Sequence, residues 1–459
     1  MEPQKIYLTD EELAELRNKF AELNDDRNKD EQLEQNQLDY FYANRGWQNI
    51  IIPEEIITKI VDLGYSGPSE IQAKVIPFGL SRKSVGILGQ SRSGTGKTLG
   101  FMIPAILRVD LAKPLTKSKT SYFPQVVILV PTNELCGQIT KVGEHVAEAF
   151  PELKVSTGRE AAHIIVMTPN RLLQFMSKKQ IDLSMVNLMV LDEADTQLLG
   201  DSGSQINQCI SSLPTKTGLF FFSSTFNQEV IEDIHLFFKK LRVEAVLRIL
   251  LPTNALMLDM LFQFSRKCEE NKKIDYTCDL IKSLEGDMQV IIFVDNKKSA
   301  EKILRELDEQ GLSVGSVTRK DQLPSERTAK LNQFREGKFK ILIANNLLTR
   351  GYDERTIGLV INFDLPKDLS GESAVSQRKV DLVTYLHRVG RTARYGECGL
   401  AVSLYCTSDE KEMLEDIEKH YGVKIKELSE ETSEIKEFDL INDSLEKGEQ
   451  LRKQQREGL

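Results

Sequence analysis

The chain has 459 residues, of which 60 are basic and 69 acidic, giving a formal net charge of −9. At about 150 residues per domain this length predicts two or three compact domains, and 40% hydrophobic with 28% charged residues excludes a disordered or fibrous chain. No apolar run approaches the roughly 20 residues of a membrane span, and the acidic N-terminus lacks the apolar core of a signal peptide, so we expect neither membrane insertion nor secretion.

The first predicted element is helical and lies in an acidic N-terminal extension, residues 1–46, which carries 6 basic and 12 acidic side chains. Thr9 to Glu12 fit a capping box, and four apolar residues follow at helical spacing: Leu13, Leu16, Phe20 and Leu23. Segment 9–42 is therefore predicted to form one or two helices, very polar on one side. It is either a solvated helix with a weak apolar stripe or a regulatory arm that docks elsewhere on the protein.

From about residue 47 short apolar runs alternate with helical stretches. The runs of a first series are Val85–Leu88, Val126–Val130, Ile164–Met167, Leu188–Leu191 and Leu219–Phe222. Those of a second series are Val290–Val294, Ile341–Ile343, Leu359–Ile361 and Leu400–Leu404. They are apolar throughout, as expected for parallel strands buried on both faces, and strand–helix alternation predicts doubly wound parallel sheets.

We therefore predict two tandem α/β domains, 47–250 and 258–430, joined by a linker at 251–257. Residues 431–459 are predicted to form a charged, helical tail that adds no core. Basic and acidic residues balance between the two ends of the chain, so the charge neither excludes nor supports a nucleic-acid partner. The six scattered cysteines, without a Cys-x-x-Cys pair, argue against a disulfide framework and a zinc site.

The strongest local motif is Ser91-Arg-Ser-Gly-Thr-Gly-Lys-Thr98, between a predicted strand and a helical run. In that setting backbone N–H groups and a helix N-terminus can bind phosphate oxygens. Lys97 would meet the β- and γ-phosphates of ATP, and the Thr98 hydroxyl would ligate Mg²⁺. The generic loop has glycine where Ser91 stands. The predicted nucleotide-binding residues of this loop are Ser93, Gly94, Thr95, Gly96, Lys97 and Thr98.

Asp192-Glu-Ala-Asp195 directly follows the predicted strand Leu188–Leu191. A carboxylate at the end of a strand beside a phosphate loop is placed to hold Mg²⁺, largely through water, and we predict this role for Asp192. Glu193 can then orient or activate the attacking water. Four acid-rich residues alone could be a solvated turn, but their position after a buried strand and downstream of Lys97 favours the catalytic interpretation.

With these two motifs the chain resembles the DEAD-box ATP-dependent RNA helicases, from about Trp47 to about Leu428. The resemblance implies two RecA-like domains, ATP and Mg²⁺ as cofactors, and single-stranded RNA as the partner. Gly64 to Gln72 resembles the adenine-recognition motif, in which Gln72 would pair with the N6 and N7 edge of adenine and Tyr65 would stack on the base. Trp47 stands where the family has an upstream aromatic; its alternative role is that of a core anchor.

The resemblance also assigns roles in the second domain. Arg391 and Arg394, in His387-Arg-Val-Gly-Arg-Thr-Ala-Arg394, match the arginines that reach across the cleft between the domains to the γ-phosphate. Asp353, in Arg350-Gly-Tyr-Asp353, matches a nucleotide-binding position. Ser223-Ser-Thr225 resembles the motif that couples hydrolysis to RNA binding. The residues predicted to couple the domains are Asp195, Ser223, Thr225, His387 and Arg388.

The motifs that would contact RNA depart from the family pattern. The candidate contacts are Thr132, Thr168, Arg171 and Asn345. Asn133 replaces an arginine, Asn170 replaces a glycine, Ala344-Asn345 stands at a threonine pair, and Ala393 replaces a glycine. The segment 154–163 is short and has only Gly158 where a Gly-Gly turn is usual. Fewer bonds to phosphate groups mean a lower affinity for RNA and a weaker dependence of that affinity on salt, so we expect weak or partner-assisted RNA binding.

Ser91, the run Ser223-Ser-Thr-Phe226 and an insertion around Gly371–Ala374 resemble the branch of the family that acts in mRNA export at the cytoplasmic face of the nuclear pore. This branch implies a nuclear-pore scaffold and an export factor as partners, a cytoplasmic and nuclear location, and an N-terminal helix that restrains ATPase activity, which segment 9–42 would supply. We expect a monomer. Two alternatives are an ATP-gated RNA clamp or scaffold with little turnover, and a DEAD-box enzyme of ribosome assembly or translation.

Overall fold

The structure is a computed structural model. The residues it describes are 46–47, 50, 52–81, 83–92, 94–118, 121–200, 202–258, 260–283, 288–317, 324–345, 357–368, 379–393, 397–428, 439, 441–448 and 450. Predictions made for segment 9–42, Ser93, Asp353, the insertion Gly371–Ala374 and Arg394 lie outside these residues.

The chain divides into two compact units, and the main division falls between Leu250 and Leu251, where the predicted first domain ends; the short segment Arg92–Gly94 is grouped with the second unit. Its described residues form one seven-stranded sheet in each unit and a small two-stranded sheet. All strand pairs of the two large sheets are parallel. The prediction of two tandem doubly wound α/β domains is confirmed.

The first unit carries its sheet in the order β5-β6-β4-β7-β8-β1-β9. The strands are β1 Val85–Gln90, β2 Thr116–Ser118, β3 Ser121–Tyr122, β4 Val126–Leu129, β5 Val155–Ser156, β6 Ile164–Met167, β7 Leu188–Asp192, β8 Gly218–Ser223 and β9 Ala245–Ile249. The helices are α1 Glu54–Asp62, α2 Glu70–Gly79, α3 Lys97–Leu107, α4 Asn133–Ala147, α5 Pro169–Ser177, α6 Ala194–Leu199, α7 Gly203–Ser211 and α8 Gln228–Lys240. β2 and β3 form the small antiparallel sheet.

The order of this sheet decides which loops meet. β7, β8 and β1 are neighbours, so the phosphate loop, the acidic motif after β7 and the hydroxyl motif after β8 all leave the same part of one sheet edge. β5, β6 and β4 form the other half of that edge. β1, β4, β6, β7 and β8 are wholly buried, with one apolar cluster on each face of the sheet, which is why their sequences are apolar throughout.

The second unit carries its sheet in the order β12-β13-β11-β14-β15-β10-β16. The strands are β10 Leu261–Lys267, β11 Gln289–Phe293, β12 Val314–Val317, β13 Ile341–Ala344, β14 Ile357–Asn362, β15 Gly399–Tyr405 and β16 Lys426–Leu428. The helices are α9 Lys273–Ser283, α10 Lys297–Glu309, α11 Pro324–Arg335, α12 Leu382–Val389 and α13 Ser408–Tyr421.

Seven strands among the described residues have no counterpart in the sequence prediction, and for four of them the physical reason is visible: β5, β9, β10 and β16. β9 is an edge strand whose Val246 stays exposed. β10 is buried but carries Gln263, Ser265 and Arg266 among its inward residues, so it does not look like an apolar run. β5 and β16 have only two and three residues, too few for any periodicity to be visible.

One expectation about the connecting segments is wrong, that for the tail. Within the predicted linker 251–257, Leu256 and Met257 are buried in an apolar cluster of the second unit. The predicted tail does add core: residues 441–448 are helical, Ile441 is fully buried against the second sheet, and the Asn442 side chain donates a hydrogen bond to the carbonyl of Ser283 at 3.2 Å. The many charges of the segment conceal its apolar positions.

Among the described residues, no helix combines the length and the apolar character that a membrane crossing requires.

Candidate functional site

The phosphate loop of the first unit runs from the end of β1 to α3, as predicted. Lys97 is the first residue of α3, and its ammonium group donates a hydrogen bond to the carbonyl of Ser91 at 3.0 Å. Thr95 donates a hydrogen bond to the Ser91 hydroxyl at 2.8 Å. Ser91, which replaces the usual glycine, thus stabilises the loop through both its carbonyl and its hydroxyl group. The ammonium group of Lys97 lies next to this loop at the start of a helix, where binding of an anion is favoured.

Gly96 is the position in this loop at which glycine is most clearly required. Its φ is +91°, and a Cβ built there would lie 2.2 Å from Nε2 of Gln72. Gln72 donates from Nε2 to the carbonyl of Gly96 at 2.9 Å and accepts at Oε1 from the backbone N–H of Ser69 at 2.8 Å. The side chain predicted to bind adenine is therefore hydrogen-bonded to the loop and to the N-terminus of its own helix. These bonds leave one donor and one acceptor position of its amide group unused.

The two predicted aromatic residues have different environments. Trp47 is 2% exposed within the core of the first unit, and its indole N–H donates to the carbonyl of Tyr65 at 2.9 Å. The structure therefore favours the core-anchor alternative for Trp47, since a ring so deeply buried cannot stack on a base from that position. Tyr65 is only partly buried against the same core, so stacking on the base stays a prediction for Tyr65.

Asp192 ends β7 and is 5% exposed. Burial and the neighbouring Glu193 raise the pKa of its carboxyl group to about 7. It accepts a hydrogen bond from the backbone N–H of Glu193 at 3.1 Å, and Gln197 donates to its carbonyl oxygen at 2.7 Å. A buried carboxylate whose charge is this unfavourable is one that a bound cation would stabilise.

Glu193 itself has a left-handed backbone, with φ +54° and ψ +49°. A non-glycine residue in this region costs about 1–3 kcal/mol and persists only where the surroundings enforce it, typically at functional sites. This conformation makes the sharp turn between β7 and α6.

Asp195 links the ends of β7 and β8. Its Oδ1 accepts a hydrogen bond from the Ser223 hydroxyl at 2.6 Å, and its Oδ2 accepts one from the hydroxyl of Thr225. All three residues are buried. Three of the five residues predicted to couple the domains are therefore brought together in one hydrogen-bonded group. Because a charge-assisted hydrogen bond is roughly twice as strong as a neutral one, a displacement of either strand end would disturb the other.

The candidate RNA contacts of the first unit lie on the other half of the same edge. Thr132 caps α4, accepting the N–H of Leu135 at 3.3 Å, and Thr168 is the residue that precedes α5. Arg171 lies in the first turn of α5, with its guanidinium 5.5 Å from the ring centre of Phe175. Since β4 and β6 pair directly, these residues form one neighbourhood, separate from the phosphate loop.

Arg388 is buried inside the second unit. It donates from Nη1 to the carbonyl of Asp364 at 2.5 Å and from Nη2 to the carboxylate of Asp295 at 3.1 Å, and its guanidinium lies 5.2 Å from the ring centre of Phe293. Arg388 thus ties α12 to the ends of β11 and β14. Asp295 had no role in the sequence prediction, although a carboxylate directly after the strand Val290–Val294 was the same signal that identified Asp192.

Two further motif residues of the second unit, His387 in α12 and Arg391 just after it, are also buried. His387 and Arg391 are each 2% exposed, and Arg391 donates from Nε to the carbonyl of His387 at 2.9 Å. Two residues further on, Ala393 has a φ of +56°, the conformation that explains why the family has glycine there. Asn345, the candidate RNA contact of this unit, follows β13 and is partly buried. Its contact with RNA stays a prediction.

Comparisons with known proteins agree with this arrangement. Residues 69–234 match a family model described as DEAD/DEAH box helicase. Residues 272–396 match one described as helicase conserved C-terminal domain. The phosphate loop, the acidic motif and Asp195 with its hydroxyl partners lie in the first range, and Arg388 and Arg391 in the second.

Similar whole proteins were found among curated sequences and solved structures. The chain is 31% identical over 463 residues to the ATP-dependent RNA helicase DDX19A of Bos taurus, covering 94% of this chain and 90% of that protein. S. cerevisiae Dbp5 bound to RNA and ADP BeF3 is 28% identical, with a TM-score of 0.75 over 88% of this chain and 99% of that one. A variant of the same yeast protein bound to Nup159, Gle1, IP6 and ADP is 26% identical, with a TM-score of 0.61 over 86% of this chain and 99% of that one.

Proposed function

Because the chain belongs to the DEAD-box ATP-dependent RNA helicases of the DBP5/DDX19 type, we propose that it uses ATP to remodel RNA–protein complexes during mRNA export, with the residues described above in the roles given below. The family, its mRNA-export branch, the RecA-like fold and the class of enzyme were all predicted from the sequence and are confirmed.

One observation carries the assignment of the ATP site: three neighbouring strand ends bring the phosphate loop, the acidic motif and the hydroxyl motif together. Lys97 and the backbone of Gly94 to Thr98 would bind the triphosphate. Because Gln72 is hydrogen-bonded to Gly96, the position of the base-recognition side chain would depend on the conformation of the loop. The donor and acceptor positions of the Gln72 amide that these bonds leave unused would pair with adenine.

Mg²⁺ fits the donor set of this edge. Thr98 offers a hydroxyl, and Asp192 offers a buried carboxylate whose raised pKa a cation would lower. The described residues contain no group of three or more acidic, histidine or cysteine ligands, and Mg²⁺ commonly takes few protein ligands together with water and phosphate oxygens. When bound, it would neutralise charge on the β- and γ-phosphates.

Glu193 would orient the attacking water, since it directly follows Asp192 at the sharp turn after β7. Arg391 and Arg394 would stabilise charge that grows on the γ-phosphate, the role that the family resemblance implies. Arg388, in contrast, would act as a positioning residue for α12 through Asp295. Asp195 would transmit displacements between the strand ends that carry Glu193 and Thr225.

The partners and the location follow the relatives. Yeast Dbp5 structures contain RNA in one case and Nup159, Gle1 and IP6 in another. We propose the corresponding partners for this chain: single-stranded RNA, a nuclear-pore scaffold and an export factor, engaged by a monomer at the cytoplasmic face of the pore. A role in ribosome assembly or translation is the alternative, and a binding assay with the scaffold and with the export factor plus IP6 separates the two.

The test of the enzymatic proposal is ATP turnover with and without single-stranded RNA, for the wild type and for Glu193→Gln. We expect RNA to stimulate the wild type. In the variant we expect turnover to fall by about 10²-fold or more, the usual range for loss of a general base, while RNA is retained in the presence of ATP. Unchanged turnover in Glu193→Gln would reject the role of Glu193. Negligible turnover of the wild type with intact ATP-dependent RNA binding would instead support the ATP-gated clamp.

A further inference from the structure

The short loop after β5 carries an arginine that the family resemblance does not explain. The connection between β5 and β6 comprises only residues 157–163, where the sequence analysis noted a shortened segment with a single glycine. Arg159 stands in this loop and is exposed. No ion pair of Arg159 is found within the part of the chain that the structure describes.

The register of the sheet places this loop. Val155 pairs with Ile164, and Ser156 with Ile165. Beyond these two pairs the loop stays close to β6, because a Cβ built at Gly158 would lie 2.4 Å from Cε of Met167, the last residue of that strand. Arg159 therefore follows a residue held at the carboxyl edge of the sheet, the edge that also carries Thr132 and Thr168.

The loop is anchored there by two contacts. The backbone N–H of Gly158 donates to the Ser156 hydroxyl at 3.2 Å, and Tyr122 donates from its hydroxyl to the carbonyl of Gly158 at 3.5 Å. Gly158 has a φ of +79°, which bends the chain at this point. The position of Arg159 is therefore set by a bonded, glycine-dependent turn.

Arg171 lies close to the same turn. Burial raises the pKa of the Tyr122 hydroxyl to about 12, and the positive charge of Arg171 opposes this increase, as expected if the guanidinium lies near the hydroxyl that holds Gly158. Two carboxylates belong to the same neighbourhood, Glu134 in the first turn of α4 and the exposed Glu160 in the loop after β5. The charge of this edge is thus mixed, so attraction of a polyanion would depend on individual contacts and not on a broad positive field.

We propose that Arg159 binds a phosphate group of the RNA strand beside Arg171 and Thr168, and so supplies a side-chain contact where this chain lacks a Gly-Gly turn. The inference rests on the proposed function, because it needs RNA to run along this half of the edge. A guanidinium is suited to the task, since its planar fork donates two parallel hydrogen bonds to one phosphate.

The experiment measures the affinity of the full chain for a fluorescently labelled single-stranded oligouridylate, with Mg²⁺ and ADP-beryllium fluoride, at several salt concentrations between about 50 and 200 mM. The variants are Arg159→Ala, Arg159→Lys and Lys154→Ala. Lys154 is the matched control, because it is an exposed basic residue of the same segment. Its carbonyl accepts a hydrogen bond from the backbone N–H of His163, which places it at the end of the strands opposite to the proposed RNA contact.

We expect Arg159→Ala to weaken binding about three- to tenfold and to reduce the slope of log affinity against log salt by about 0.7, the value for one phosphate contact on a single strand. Arg159→Lys should keep most of the slope, and Lys154→Ala should match the wild type. Two results would overturn the inference and leave the proposed function standing. One is an unchanged salt slope in Arg159→Ala, and the other is a loss of affinity in Lys154→Ala as large as that in Arg159→Ala. If the wild type binds no RNA in any nucleotide state, the proposed function fails and the inference fails with it.

Discussion

Arg388 and Asp295 form an ion pair inside the second unit, with Nη2 of the guanidinium 3.1 Å from Oδ1 of the carboxylate. The arginine side chain is fully buried, while a third of the aspartate side chain is exposed. The pair connects α12, which carries His387 and leads to Arg391, with the residue that follows β11. A motif residue predicted to couple the two domains thus has its described partners within one unit.

Arg388→Ala should lower the free energy of unfolding by about 2–3 kcal/mol, because the change removes buried hydrogen bonds to a charged group and leaves Asp295 without its partner. Urea denaturation followed by circular dichroism measures the effect. Lys298→Ala is the control: it removes an exposed charge on the neighbouring α10 and should stay within about 0.5 kcal/mol of the wild type. Equal stabilities of the two variants would show that the pair contributes nothing.

Gly96→Ala should weaken ATP binding by about tenfold or more, since the new methyl group meets Gln72 and the left-handed backbone disfavours alanine, at a combined cost of at least about 1.4 kcal/mol. Gly137→Ala is the matched control. Gly137 lies within α4 with nothing within 4 Å of the position of a Cβ, so alanine there should raise the free energy of unfolding by about 0.5–1 kcal/mol and leave ATP affinity unchanged. Titration with a fluorescent ATP analogue measures binding. Equal affinities of both variants would contradict the role of Gly96.

Ala393→Gly should leave the free energy of unfolding unchanged or raise it by up to about 1 kcal/mol, because relief of the left-handed strain at φ +56° offsets the greater entropy of glycine in the unfolded chain. Ala329→Gly, at an exposed position within α11, should instead cost about 1 kcal/mol. Thermal denaturation of the two variants measures the difference. A loss of stability in Ala393→Gly as large as that in Ala329→Gly would show that the loop after α12 is not strained at Ala393.

The pKa of Asp192, raised by burial and by Glu193 to about 7, makes the stability of the metal-free protein depend on pH. The folded pKa lies above the ordinary value of 3.8, so the folded state binds the extra proton between these values. The contribution of Asp192 is therefore fully present below about pH 4 and is lost as the pH rises through about 7.

The measurement is the free energy of unfolding of the wild type minus that of Asp192→Asn, in the absence of Mg²⁺ and nucleotide. We expect this difference to fall as the pH is raised from 5 to 8, because the variant cannot titrate at this position. Titrating groups that do not interact with Asp192 affect both proteins equally and cancel. A difference that is constant or rises with pH would show that the carboxyl group is not held in its protonated form.

The sequence was sufficient wherever function depends on residues close together in the chain. The phosphate loop could be recognised from Ser91 to Thr98 because a strand, a glycine-rich turn and a helix N-terminus must follow one another directly to bind phosphate. The central strands were identified to within two residues for the same kind of reason: burial on both faces requires an unbroken apolar run, as in Ile164–Met167.

Only the tertiary structure decided which polar groups are partners across the sheet. That Gln72 is bonded to Gly96, that Arg388 pairs with Asp295, and that Trp47 is a core residue holding Tyr65 all depend on which segments lie side by side. The order of the strands determines this, and no local spacing records it. The same reason brings Arg159 near the end of β6: its neighbour Gly158 lies against Met167, which is nine residues away in the chain. Local spacing specifies the chemistry that each segment can perform, whereas long-range pairing determines which segments perform it together.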